Sequence, residues 1–254
     1  MSWLYLAPLW VIAPVVIIVV AAALELGYRL SRAVPIEEKQ VANVAAALLA
    51  LVGLLLAFSY GMAGDRHAKR RATTVQETNS IGTFWLRTSL LPEPTRSEMR
   101  LRVRRYVDLH IEHRQAVVDE KRLEEVEANM WRLQKELWAL LQADAERAPE
   151  AARLRLLVPA LNAMIDDTAS ALAAKESRLP DSLLGFLFLL ISIAGVVIGY
   201  RPLAEKRNLV FWALFVITMG AVMLTLLDMD RPRRGLITSD PRPYLRLQKS
   251  LQEN

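Results

Sequence analysis

Paired carboxylates stand at Asp166-Asp167 and at Asp228-Met229-Asp230, and a further acid, Glu77, opens the polar string Glu77-Thr78-Asn79-Ser80-Ile81-Gly82-Thr83. Such pairs can share a proton or help to hold a cation, but acid–base or covalent catalysis also needs a nucleophile or base within reach. The chain has no cysteine and three histidines, His67, His110 and His113, none of them beside either pair. Disulfides, thiolate metal sites, iron–sulfur clusters and a cysteine nucleophile are thereby excluded. Two carboxylates also fall short of the six to eight oxygens that calcium prefers. With no G-x-G-x-x-G or G-x-x-x-x-G-K-[ST] string there is no glycine-rich phosphate cradle. No enzyme, metal or cofactor is expected.

The basic cluster Arg66, Lys69, Arg70 and Arg71 follows directly on an apolar run. One reading makes it a topology anchor whose side chains snorkel to lipid phosphates. Another makes it a positive ring at the mouth of a pore. In the run before it, Leu51, Leu54, Leu55, Phe58 and Met62 recur at helical spacing, and a ring of such groups from several copies would gate water by dewetting. Three readings fit Glu77: a helix restart from a Thr74-x-x-Glu77 box, a buried seam with an Arg of a neighbouring helix, or a ring of acids in a vestibule.

The elements that would position these groups are set by where charge is missing. No Asp, Glu, Lys or Arg occurs in 1–24, 40–64, 182–200 or 208–227, although the chain is 23% charged and 53% apolar. A helix needs about 20 mainly apolar residues to cross a bilayer, so four spans are expected. A secretory signal would have a basic start and a shorter apolar core, so the first span is expected to remain. Gly195-x-x-x-Gly199 in the third span would allow close helix approach. The resulting organisation is 1–64 (spans one and two), 65–181 (a central domain), 182–227 (spans three and four) and 228–254 (a tail). The central-domain flanks and tail carry twelve Lys and Arg, the short connections 25–39 and 201–207 six. This bias puts the central domain and both termini in the cytoplasm.

The central domain reads as a helical bundle. Its first helix, 65–90, continues span two; Leu91–Pro94 is a turn; and Thr95-x-x-Glu98 forms a capping box. Later helices bury Leu123, Val126, Met130, Leu133, Leu137, Leu140 and Leu141, then Leu154, Leu157, Val158, Leu161, Ile165 and Leu172. Tyr106, Trp131 and Trp138 are expected in the core, and Asn162 with Asp166 as a satisfied polar pair inside the bundle. With 20 basic and 19 acidic side chains the domain is no nucleic-acid grip, despite a net charge of +5 for the chain.

Specific strings then carry a resemblance. Glu77–Thr83, Leu86-Arg87, Leu90-Leu91-Pro92, Arg105–Asp108, Leu161–Asp166 and Asp228–Gly235 resemble segments of the bacterial bestrophin-like family of unknown function, including Asn79, Thr83, Asn162, Asp166, Asp228, Asp230 and Arg231. That family resembles, more distantly, the bestrophins: pentameric ion channels of four spans whose second span lines a narrow apolar neck. The bacterial neck residues sit four apart and end in a Phe with an Arg eight positions on. Phe58 and Arg66 have that spacing; Leu54 and Ala50, counted back by fours, complete the neck, with Ala50 small where the family places Ile. The resemblance implies an all-α integral membrane protein with four transmembrane helices and a helical cytoplasmic domain. It implies a homo-oligomeric, pentameric ion channel of the bacterial inner membrane, whose partners are lipid, inorganic ions and its own copies. Arg66, Lys69, Arg70, Arg71 and Glu77 would set charge at the pore mouth. The alternative is a non-conducting scaffold or sensor whose acidic face near Glu120–Glu127 docks a partner protein.

Overall fold

The structure is a computed structural model and describes residues 8–116, 119–149, 151–200, 208–231 and 240–253. The connection 201–207 and residues 232–235 of the last family string lie outside the described residues. Among the described residues every regular element is helical: α1 (Leu9–Ala33), α2 (Glu38–Arg87), a 3-10 turn (Thr88–Leu90), α3 (Thr95–Gln115), α4 (Glu120–Arg147), α5 (Leu154–Glu176), α6 (Asp181–Gly199), α7 (Leu209–Asp230) and α8 (Arg242–Glu253). Four helical stretches are long and apolar enough to cross a membrane: Trp10–Ala33, Glu38–Leu90, Leu154–Gly199 and Leu209–Asp230. The chain divides into two compact units, to both of which α2 contributes.

The first unit takes the described residues of Met1–His67 and Arg178–Ile237. In it α1 packs along α6 and α7. Small residues permit this approach: a Cβ on Gly199 would collide with the Leu24 carbonyl, one on Gly27 with the Val196 carbonyl, and one on Gly195 would stand 3.1 Å from Ala23 Cβ. The G-x-x-x-G string thus lets α6 lie backbone to backbone on α1, with Gly27 as its counterpart. The expected connection 25–39 is shorter than its sequence suggested. Helix α1 runs on to Ala33 and stops where Val34, preceding Pro35, turns extended. Tyr200 pins this turn, its hydroxyl donating to the Val34 carbonyl and accepting from Ile36 N at 2.7 Å. Tyr60 ties α2 to α7 through the Val222 carbonyl at 2.6 Å.

The second unit takes the described residues of Ala68–Ser177 and Thr238–Asn254. Its core joins Phe84 and Trp85 of α2, Met99, Val103 and Tyr106 of α3, Met130 and Leu137 of α4, and Leu157 and Leu161 of α5. The expected tail is no appendage, since α8 packs on α3. Tyr244 and Leu251 are buried, Arg104 Nε donates to the Leu251 carbonyl at 3.1 Å, and Gln248 donates to Asp108 at 2.7 Å. Three local expectations are corrected. Thr95 is the first helical residue and makes no capping bond; the Glu93 carboxylate accepts from Ser97 N instead. Helix α2 does not restart at Thr74, whose hydroxyl donates to the Arg70 carbonyl within an unbroken helix. Trp131 and Trp138 are 49% and 40% exposed, because the buried face of α4 passes through Met130, Gln134, Leu137 and Leu141, one position off both rings.

Candidate functional site

Helix α2 is buried along one side and bare along the other. At 100° per residue, Val52, Leu56, Ser59 and Ala63, then Arg70, Thr74, Glu77 and Ile81, fall on one face, and all are buried. The opposite face carries Asn43, Ala47, Ala50, Leu54, Phe58, Gly61 and Asp65, then Ala68, Ala72, Gln76, Asn79 and Thr83. Every one of these is exposed. The three neck candidates therefore share a face that no other described residue covers, with Leu54 54% and Phe58 63% exposed.

That face holds a smaller share of bulky apolar side chains than the exposed residues of α7 do. Exposed residues of α7 include the bulky apolar side chains Leu209, Val210, Phe211, Leu214 and Ile217, which suit lipid, with Ala213, Thr218, Ala221 and Thr225 among them. The bare face of α2 is mainly Ala, Gly and short polar residues, interrupted by Leu54 and Phe58. Small residues on a helix face serve close approach of other helices or room along an axis, not solvation by acyl chains.

The basic cluster is dispersed around the helix. Lys69 and Arg71 are exposed; Arg66 is half-buried and donates back to the Met62 carbonyl at 3.1 Å. Arg70 is buried, with Nε on the Ala174 carbonyl at 3.3 Å and a terminal nitrogen on the Ser177 carbonyl at 2.8 Å. It thus closes the C-terminus of α5, where carbonyls lack helical partners and a cation meets the negative end of the helix dipole. The charge centred on the bare face is an acid, Asp65, with Lys69 at its margin. Sequence reading missed Asp65 by grouping its basic neighbours as one patch; a helical wheel carried past Gly64 would have isolated it.

Glu77 is fully buried in the second unit, in a seam, and its partners are not arginines. The Tyr244 hydroxyl donates to one carboxyl oxygen, and His110 Nδ1 stands 3.4 Å from the other. His110 stacks on Tyr244 at 5.2 Å and meets Tyr106 edge-on at 4.7 Å. Tyr106 donates to Thr168 Oγ1 at 2.8 Å and accepts from Gln134 at 2.7 Å. Burial first, then the charges of Lys175 and His113, hold the His110 imidazole well below its usual pKa; it is neutral, and the contact with Glu77 is no ion pair. Burial, then the Glu77 carboxyl, pushes the Tyr244 phenol well above its ordinary value. The seam brings together side chains of five helices, α2, α3, α4, α5 and α8, through the Tyr244–Glu77 and Gln134–Tyr106–Thr168 hydrogen bonds and the rings stacked about His110.

A family model, Bestrophin-like domain, matches residues 9–244. The chain belongs to the bestrophin-like family. No curated protein and no solved structure matches it. Together with four helical stretches able to cross a bilayer, this makes it a membrane protein.

The remaining residues of the bestrophin-like strings fall in separate places. Asn79 and Thr83 lie on the bare face of α2. Asn162 and Asp166 are exposed on α5, not paired inside the bundle, because the side of that helix facing the core passes through Leu161, Met164 and Thr168. Asp228, Asp230 and Arg231 are buried in the first unit. Asp230 accepts from Leu179 N at 2.9 Å with one oxygen and 3.0 Å with the other. That carboxylate anchors the chain entering α6. Among the described residues no cluster of three His, Cys, Asp or Glu is placed to hold a metal.

Proposed function

We propose that this protein is an oligomeric, pentameric ion channel of bestrophin type, a conduit and not a catalyst. It would lie in the bacterial inner membrane with the central domain and both termini in the cytoplasm. The observation that carries the reading is the bare face of α2: small and short polar residues at helical spacing, broken by Leu54 and Phe58, with nothing among the described residues to cover it. Several copies arranged around an axis would cover that face with its own counterparts and leave Leu54 and Phe58 as the narrowest apolar rings. Ala50 would form a wider level at the next turn. Asp65, seven residues beyond Phe58 and about 10 Å along the helix, would be the first charged ring the ion meets, with Lys69 beside it. Glu77 and Arg70 belong to the interior of the second unit in this reading, not to the pore wall.

Reconstitution into planar bilayers tests it. Wild type is expected to conduct, and Phe58→Ala and Leu54→Ala to raise conductance several-fold by removing the apolar rings. An absence of current under any ionic condition would remove the channel; currents unchanged in both variants would remove the neck.

Trp131 and Trp138, both exposed and two turns apart on α4, favour a second reading in which the second unit docks a partner protein as a scaffold. A particle that stays monomeric in mild detergent, with no axis for α2 to line, would favour that alternative.

A further inference from the structure

Arg71, Arg242 and Arg246 line one concavity of about 290 Å³ in the second unit, with Thr74, Val75 and Asp240 in its wall. One guanidinium comes from α2; two come from the first turns of α8. The single carboxylate is already engaged, since Asp240 accepts from Arg242 Nε at 2.8 Å and from Arg242 N at 3.0 Å. Arg71 and Arg246 make no hydrogen bond or ion pair with any described residue. Elsewhere in this unit guanidiniums reach acids, as in Arg153 with Asp144 at 2.9 Å and Arg102 with Glu136 at 3.1 Å. Three cations and one acid leave an excess of two positive charges in a concave site, where converging like charges repel and an anion would be drawn in.

We propose that this pocket binds a phosphate-bearing anion, held by Arg71 on α2 and by Arg242 and Arg246 on α8. Guanidinium forks match phosphate oxygens two at a time, and the volume admits a phosphate group. Position favours the headgroup of an anionic phospholipid over a free solute. Arg71 follows the charge-free stretch 40–64 by seven residues of the same helix, about 10 Å of rise, within reach of the attraction an anionic leaflet exerts on juxtamembrane cations. The bound anion would bridge α2 and α8 and so strengthen the hold on the C-terminal helix. The proposal is independent of whether α2 lines a pore.

The test uses full-length protein in a neutral detergent. Binding of inorganic phosphate, of dioctanoyl phosphatidylglycerol and of dioctanoyl phosphatidylcholine is measured at matched ionic strength by ligand-induced thermal shift and by native mass spectrometry. At least one of the two anionic probes should bind the wild type, and binding should weaken at least tenfold in the double variant Arg71→Gln with Arg246→Gln. Phosphatidylglycerol alone would identify a lipid source; inorganic phosphate, with or without it, would identify a soluble phosphate as sufficient. Both side chains are exposed and make no bond with any described residue, so the ligand-free variant should unfold with the wild type. The variant Arg71→Lys with Arg246→Lys keeps the charge without the fork and should fall between. Failure of both anionic probes to bind the wild type, equal binding of phosphatidylcholine, or unweakened binding in the glutamine variant would overturn the proposal.

Discussion

Protonating His110 would place a cation in a buried site between the Tyr106 and Tyr244 rings, under the repulsion of Lys175. Its pKa is held well below 6.5 by burial and then by the charges of Lys175 and His113. In the unfolded chain the imidazole takes up a proton below about pH 6.5; in the folded chain it does not. The unfolded state therefore binds more protons there, and stability present above pH 6.5 is lost as pH falls toward the folded value, at up to about 1.4 kcal/mol per pH unit. Thermal unfolding of the detergent-solubilised protein from pH 7.5 to 5 should show this decline, and His110→Phe should flatten it. A wild-type profile already flat across that interval would refute the assignment. Tyr244 is the partner whose loss is felt at any pH. Tyr244→Phe leaves a Glu77 oxygen buried without its donor and should cost about 1–3 kcal/mol, read as a lower unfolding midpoint.

Helix α2 carries the functional argument at the next scale. If its bare face lines an axis, a ring of Asp65 carboxylates stands on the ion path and favours cations. Asp65→Asn should then shift the reversal potential under a salt gradient toward the anion equilibrium potential, with the fold unchanged because Asp65 is exposed. An identical reversal potential would put Asp65 off the path. The span itself was legible from missing charge, and its apolar periodicity from the spacing of Leu51, Leu54, Phe58 and Met62. Which side of the helix stays bare was not, because a span apolar on every face gives no sign of where its neighbours lie; Leu55, read as part of the same stripe, is half-buried. The Thr74-x-x-Glu77 string misled for a related reason, whereas Thr95 does open α3, without the capping bond. Such a box stabilises a start only where the preceding chain is not already helical, and at Thr74 it is. At Asn162 and Asp166 the helical phase was misread: at 100° per residue they fall on the side of α5 opposite its buried stripe of Leu157, Leu161, Met164 and Thr168.

At the scale of the whole molecule, the absence of cysteine turns a compositional exclusion into an experiment. A single cysteine introduced as Phe58→Cys has no other thiol in its own chain to pair with, so any disulfide joins two copies. Disulfides form when Cα atoms approach to roughly 4.4–6.8 Å, and fluctuations of a narrow ring allow neighbouring copies to be trapped at that distance. Copies meeting along the bare face of α2 should give oxidant-dependent dimer bands from Phe58→Cys in native membranes, and weaker ones from Ala50→Cys if that level is wider. Ile217→Cys, 65% exposed on the bulky apolar face of α7, is the matched control: a residue turned toward lipid should cross-link little. Comparable bands from positions 58 and 217 would mean that collision, not assembly, brings the chains together. Bands from position 217 alone would move the interface to α7 and leave α2 facing lipid. Selective cross-linking at position 58, together with a particle mass near five protomers, would make the small residues of α2 intelligible as one design: they give the copies room to approach, and the two large side chains among them are where the passage narrows.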